Sequence, residues 1–134
     1  MNFSKEILFS ELMELKNNAY VPYSNFRVAS IVYLKNGEKV VGVNVENAAY
    51  NPTICAERCV LPQVYAQGYD ANDVELMTLY TDSDNVGTPC GTCRQTMTEL
   101  LQPEQIVMIF NKKGYCKSVT VSELLPDSFT EKDL

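Results

Sequence analysis

Cys55-Ala56-Glu57 and Pro89-Cys90-Gly91-Thr92-Cys93 are the stretches of this chain whose residue types and spacing could do chemistry. Thiolates bind soft divalent cations. A helix N-terminus, with free N–H groups and a positive dipole end, favours the thiolate. Both stretches fall where a loop runs into a predicted helix. Two such helix starts facing each other would bring Cys55, Cys90 and Cys93 to one point. Three protein ligands and one open position describe a catalytic zinc site rather than a structural one. Glu57 stands two residues beyond its neighbouring cysteine, so it can stay off the metal and move protons beside the open position. Three thiolates on a divalent cation leave a net negative charge, which weakens a Lewis acid. Helix dipoles offset part of it. Arg58 and Arg94, directly after Glu57 and Cys93, offer more, and Arg58 is expected to donate hydrogen bonds to ligand sulfur.

Other readings stand beside this one. A lone C-x-x-C also occurs in redox motifs, a reading that gives Glu57 no role. Cys59 lies four residues after Cys55 on the same helical face, and with it a four-cysteine structural zinc module could close. Otherwise Cys59 and Cys116 read as small buried hydrophobes. Either arginine alone could be a solvated surface charge.

Composition narrows the field. Histidine is absent, which removes Ser-His-Asp triads, Cys-His dyads and HExxH zinc sites. Any proton shuttle must be a carboxylate, Cys, Lys or Tyr. The pattern C-x-E with P-C-x-x-C is the three-cysteine form of a zinc deaminase signature. Five cysteines, an odd number, behind an N-terminus carrying Glu6, Glu11 and Glu14 read as reduced thiols in a cytoplasmic protein. Eleven basic residues against 17 acidic ones give a net charge of −6, with no basic stripe for a nucleic acid polymer. No apolar run approaches the roughly 20 residues of a membrane span. A chain of 134 residues, 46% hydrophobic, is expected to form one domain over residues 1–134.

The elements that must position these groups follow from periodicity. Phe3, Ile7, Leu8, Leu12 and Leu15 predict a helix from about Ser4 to Asn17. Arg27 to Leu34 and Lys39 to Val45 flank Asn36-Gly37 and predict a hairpin. A second helix is expected with Thr53 as N-cap, Gly68 past its end, and a kink or division at Pro62. Val74 to Thr81 reads as a buried strand, and Pro89-Cys90-Gly91 opens a third helix. Ile106 to Phe110 and Cys116 to Val121 read as strands around a turn with Gly114, and Ser122 as the cap of a short last helix. The order α-β-β-α-β-α-β-β predicts a three-layer α/β/α fold on a five-stranded mixed sheet.

Five stretches in order extend the pattern: Tyr20-Val21-Pro22-Tyr23-Ser24-Asn25-Phe26, Asn44-Val45-Glu46-Asn47-Ala48-Ala49-Tyr50, Cys55-Ala56-Glu57-Arg58, Pro89-Cys90-Gly91-Thr92-Cys93-Arg94-Gln95 and Glu123-Leu124-Leu125-Pro126. With them the chain resembles the short-chain, homotetrameric, zinc-dependent cytidine deaminases over nearly its whole length. The resemblance implies one Zn²⁺ per subunit on Cys55, Cys90 and Cys93, with Glu57 as proton shuttle. It implies ribose binding by Asn44 and Glu46, a Phe26 ring on the pyrimidine, and a base-edge contact at the Ala56 backbone. Ala48, Tyr50 and Phe129 match positions that complete a neighbour's site, and Arg58, Arg94 and Gln95 lie just behind the ligands. The implied activity is deamination of free cytidine and 2′-deoxycytidine in pyrimidine salvage. Some positions depart from the family. Ala29-Ser30 stand where it usually has Gly-Ala, and Thr88 precedes Pro89 where Ser is more common. Cys59, Val60 and Pro62 replace a more usual small-residue helix. Ala29-Ser30 keeps open a cytosine-nucleoside antibiotic as substrate; the Asn44-to-Asn47 match points to ordinary nucleosides.

Overall fold

The computed structural model describes residues 3–134. Helix α1 (Lys5–Leu15) is capped by Ser4, whose hydroxyl accepts from the Ile7 amide, and runs into a 3-10 turn at Lys16–Asn18. Strands β1 (Val28–Leu34) and β2 (Lys39–Val43) form the hairpin expected around Asn36-Gly37. Then follow α2 (Ala56–Ala66), β3 (Val74–Thr81), α3 (Gly91–Leu100), β4 (Ile106–Asn111), β5 (Gly114–Thr120) and α4 (Val121–Leu124).

The sheet has five strands in the order β2-β1-β3-β4-β5. Only β3 and β4, joined across α3, pair in parallel; the other three pairings are antiparallel. Because β1 alternates faces, Ala29, Ile31 and Tyr33 pack with Leu8 and Leu12 of α1 on one side. Val32 and Leu34 pack with Val60, Leu61, Val64 and Met97 of α2 and α3 on the other. Two cores on opposite faces of one sheet make the expected three-layer α/β/α architecture. Among the described residues no helix is long and apolar enough to cross a membrane.

Three local expectations are corrected. Thr53 does not cap α2, because Ile54 forms a β-bridge with Val45 and keeps the chain extended, so the helix starts at Ala56 with Cys55 as its N-cap. The Thr53 hydroxyl accepts the Asn47 amide instead. Pro62 does not divide the helix. It sits on the exposed side, while Val60, Leu61 and Val64 hold α2 against the sheet. Ser122 is not the cap of α4; Thr120 is, in a capping box with Glu123.

Candidate functional site

Cys55 and Cys90 are the N-cap residues of α2 and α3, and neither side chain is used for capping. Both thiols are therefore free for another partner at the positive end of a helix. Cys93, one turn into α3, is fully buried, whereas Cys90 is exposed. The three sulfur atoms all lie within 4.8 Å of one another. Zinc bound tetrahedrally at ~2.3 Å from each sulfur would set them roughly 3.8 Å apart, so the trio is nearly closed around such an ion. Among the described residues no fourth His, Cys, Asp or Glu joins the group.

The donor chemistry fits the metal. The Cys55 thiol is lowered to about 5, first by a hydrogen bond from Cys93, against the cost of burial, and then by Arg58. The Cys93 thiol is pushed up by that same bond and by burial. Arg58 Nη2 lies 3.5 Å from Cys55 Sγ and 3.5 Å from the Thr53 carbonyl. Its hydrogen bonds with Cys55 and Cys93 aim this arginine at the sulfurs, and its Nε is buried without a partner among the described residues.

Glu57 is 4% exposed. Burial pushes its carboxyl up to about 7, opposed by its own amide, with the charge of Cys55 pushing further. A carboxyl poised near neutrality beside a three-sulfur cluster suits proton transfer. Its position depends on Gly42. A Cβ on that β2 residue would stand 2.7 Å from the Ala56 carbonyl oxygen and 2.8 Å from the Val60 amide nitrogen. The first turn of α2, carrying Glu57 and following directly on Cys55, therefore lies directly on the β2 backbone.

A second cluster lies at the ends of β1 and β2. Asn44 Oδ1 accepts the Val28 amide at 2.9 Å, and its Nδ2 donates to the Phe26 carbonyl at 2.8 Å. The amide thus fixes the backbone of Phe26, with one hydrogen and one lone pair left over. Glu46 accepts from the Tyr23 and Ser24 amides, each at 3.1 Å, and from the Ser24 hydroxyl. The Ser24 hydroxyl, with those amides, holds its carboxyl below the usual range. Phe26, Tyr50 and Phe129 are exposed rings, and Ala48 is exposed in the loop leading to Tyr50. Tyr50 is held at φ 62°, a strained setting for an aromatic residue.

The sequence model described as "Cytidine and deoxycytidylate deaminase zinc-binding region" matches residues 3–109. The chain belongs to this deaminase family. A cytidine deaminase of Halalkalibacterium halodurans is 39% identical over 130 residues, covering 97% of each chain. The crystal structure of a cytidine deaminase from Burkholderia pseudomallei superposes with a TM-score of 0.89 at 34% identity, covering 95% of this chain and all of that one. That of the Mycobacterium tuberculosis enzyme gives 0.78 at 29%, covering 96% and 99%. Zinc is the metal the family's description names, and the cysteine cluster is the group that could hold it.

The site thus brings together the three cysteines, Glu57 and Arg58. Arg94 does not reach a sulfur; its guanidinium donates to Pro89 O, Thr88 Oγ1 and Leu124 O. Gln95 donates to the Phe129 carbonyl. Cys59 stays outside the cluster, with its sulfur 3.8 Å from Gln63 Nε2. The four-cysteine arrangement is therefore not formed. Cys59→Ser is expected to retain zinc and activity, as metal analysis and a deamination assay would show; a zinc-free variant would contradict the three-sulfur site. Ser24 and Gly42 were not legible as site residues, although an isolated glycine inside a β-run signals close backbone approach.

Proposed function

We propose that this chain, acting as a single catalytic domain over residues 1–134, hydrolyses cytidine and 2′-deoxycytidine to uridine and 2′-deoxyuridine with release of ammonia. The observation carrying this reading is three sulfurs within 4.8 Å of one another next to a buried glutamate on the first turn of α2. Cys55, Cys90 and Cys93 would hold a zinc ion, which would supply Lewis acidity and acidify the attacking water. Glu57 accepts a proton from the attacking water and gives it to ring N3. As the water oxygen bonds to C4, Glu57 is again a free carboxylate; it then takes the remaining proton of the C4 hydroxyl and delivers it to the amino nitrogen, so the C4–N bond breaks, ammonia leaves and C4 becomes the carbonyl of uridine. Arg58 offsets the charge of the sulfurs by its bond to Cys55. Asn44 and Glu46 take the sugar hydroxyls, the Phe26 ring takes the pyrimidine face, and the Ala56 backbone takes the base edge.

The rim argues for a nucleoside over a nucleotide. The hollow beside Glu46 is lined by Tyr23, Ser24, Asn47, Tyr50 and Thr53, with no lysine or arginine for a 5′-phosphate. A polynucleotide is disfavoured further by the net charge of −6. Ordinary nucleosides are also favoured over an antibiotic. Ala29 packs in the α1-side core, and the fully buried Ser30 spends its hydroxyl on the Thr78 carbonyl at 2.7 Å, so neither departure alters the rim. The exposed rings of Phe26, Tyr50 and Phe129 leave the site open, which supports a homotetramer in which Ala48, Tyr50 and Phe129 cover a neighbour's site. Reduced thiols suit the cytoplasm and pyrimidine salvage.

The test is loss of ultraviolet absorbance with cytidine, 2′-deoxycytidine, deoxycytidylate and a cytosine antibiotic as substrates. Turnover of both nucleosides, with deoxycytidylate at least ~10-fold slower in kcat/KM, is expected, because a phosphate would meet a carboxylate and no cation. Equal use of deoxycytidylate would overturn the nucleoside assignment, and faster use of the antibiotic would favour the alternative substrate.

A further inference from the structure

Cys90 differs from the other two cysteines of the cluster in having little to hold it. Cys93 is enclosed in the core, and Cys55 is contacted by Arg58. Cys90 is exposed, its side chain makes no capping bond, and it follows the loop Asp82-Ser83-Asp84-Asn85-Val86-Gly87-Thr88, which offers Val86 as its single apolar side chain and leaves that exposed. Apart from contacts with the sulfurs of Cys55 and Cys93, its placement falls to the backbone on either side.

Arg94 grips that backbone. One helical turn beyond Cys90, its side chain folds back over the start of α3. Nε donates to the Pro89 carbonyl, Nη2 to the Thr88 hydroxyl and Nη1 to the Leu124 carbonyl, each at 2.7 Å. The Arg94 amide also donates to the Cys90 carbonyl at 2.9 Å. A planar guanidinium presents donors in fixed directions, and charge-assisted bonds of this length are the stronger kind. The next residue, Gln95, ties the same helix to the Phe129 carbonyl at 2.9 Å. Elsewhere the loop is tethered by Asn111, which donates to the Asn85 carbonyl at 3.0 Å.

We propose that Arg94 is a positioning residue that clasps the Thr88 hydroxyl and the Pro89 carbonyl to the Leu124 carbonyl of the C-terminal segment and so holds Cys90 in ligating position. The proposal rests on the reading of Cys55, Cys90 and Cys93 as metal ligands. Arg94 acts here by gripping the loop with its donor fork and not by offsetting the charge of the sulfurs, which distinguishes it from Arg58. The C-terminal segment thereby becomes a brace of the metal loop.

The test follows transfer of zinc from the loaded, full-length protein to excess 4-(2-pyridylazo)resorcinol, with thermal unfolding of each zinc-free variant measured in parallel. Arg94→Ala and Arg94→Lys are both expected to release zinc about tenfold or more faster than wild type, the lower end of what lost outer-shell partners cost. An ammonium on a flexible stem cannot span three divergent acceptors. Thr88→Val, which removes one acceptor on the loop, is expected to speed release by a smaller factor and decides the matter should Arg94→Ala not fold. Release at the wild-type rate in the Arg94 variants, or full rescue by Arg94→Lys, overturns the clasp alone. So does faster release that merely tracks a lower unfolding temperature. A wild-type protein that retains no zinc overturns the metal-site reading and the clasp with it.

Discussion

Glu57→Gln is expected to keep its zinc and to lose at least ~10²-fold in kcat for cytidine. The substitution preserves size and one acceptor, so the 4%-exposed pocket of Glu57 remains filled. The carboxyl it removes sits outside the group of three sulfurs and is pushed up to about 7 by burial, where it can both take and give a proton. Glutamine can do neither. Parallel zinc analysis separates the outcomes. Wild-type turnover in a zinc-loaded variant would remove Glu57 from the chemistry, and loss of zinc would make it a ligand.

Gly42→Ala should cost about as much in rate without touching a reacting group. Its Cβ would meet the Ala56 carbonyl, the Val60 amide and, at 2.9 Å, Val60 Cβ, and two of these three are backbone atoms. Helix α2 must lift from β2, and Cys55 and Glu57 move with it. Overpacking of this kind costs about 1–3 kcal/mol of stability. A displacement on the order of 1 Å at a catalytic group can cost ~10²-fold in rate. Gly37→Ala supplies the control. Gly37 sits at φ 94° in the open β1–β2 turn with nothing within 4 Å, so alanine there strains the backbone by about 1–2 kcal/mol and leaves the site alone. A Gly42→Ala protein that loses stability but keeps full kcat would show that the close contact does not set the Glu57 position.

The three-cysteine group and the buried Glu57 beside it were legible because metal chemistry restricts residue type and spacing, and the sheet because β3 and the β1–β2 hairpin carry strong apolar patterns. What local pattern missed was set by distant partners. Thr53 looks like a cap until Val45 pairs with Ile54 and delays the helix. Thr120 displaces Ser122 because Glu123 completes a capping box with it. The work of Arg94 depends on the carbonyl of Leu124, 30 residues away, which no motif announces. Asn44 likewise reads as a sugar binder, yet its amide first fastens the strand that presents Phe26.

The cluster draws on the chain unevenly, and this bears on how the protein would fail on heating. Cys55 and Glu57 share the start of one helix anchored on the sheet, whereas Cys90 ends a polar loop. Partial melting should therefore begin at the loop, sparing the spacing between Glu57 and Cys55 while a bound cation would escape through the Cys90 side. Inactivation would then precede global unfolding and reverse on cooling with added zinc.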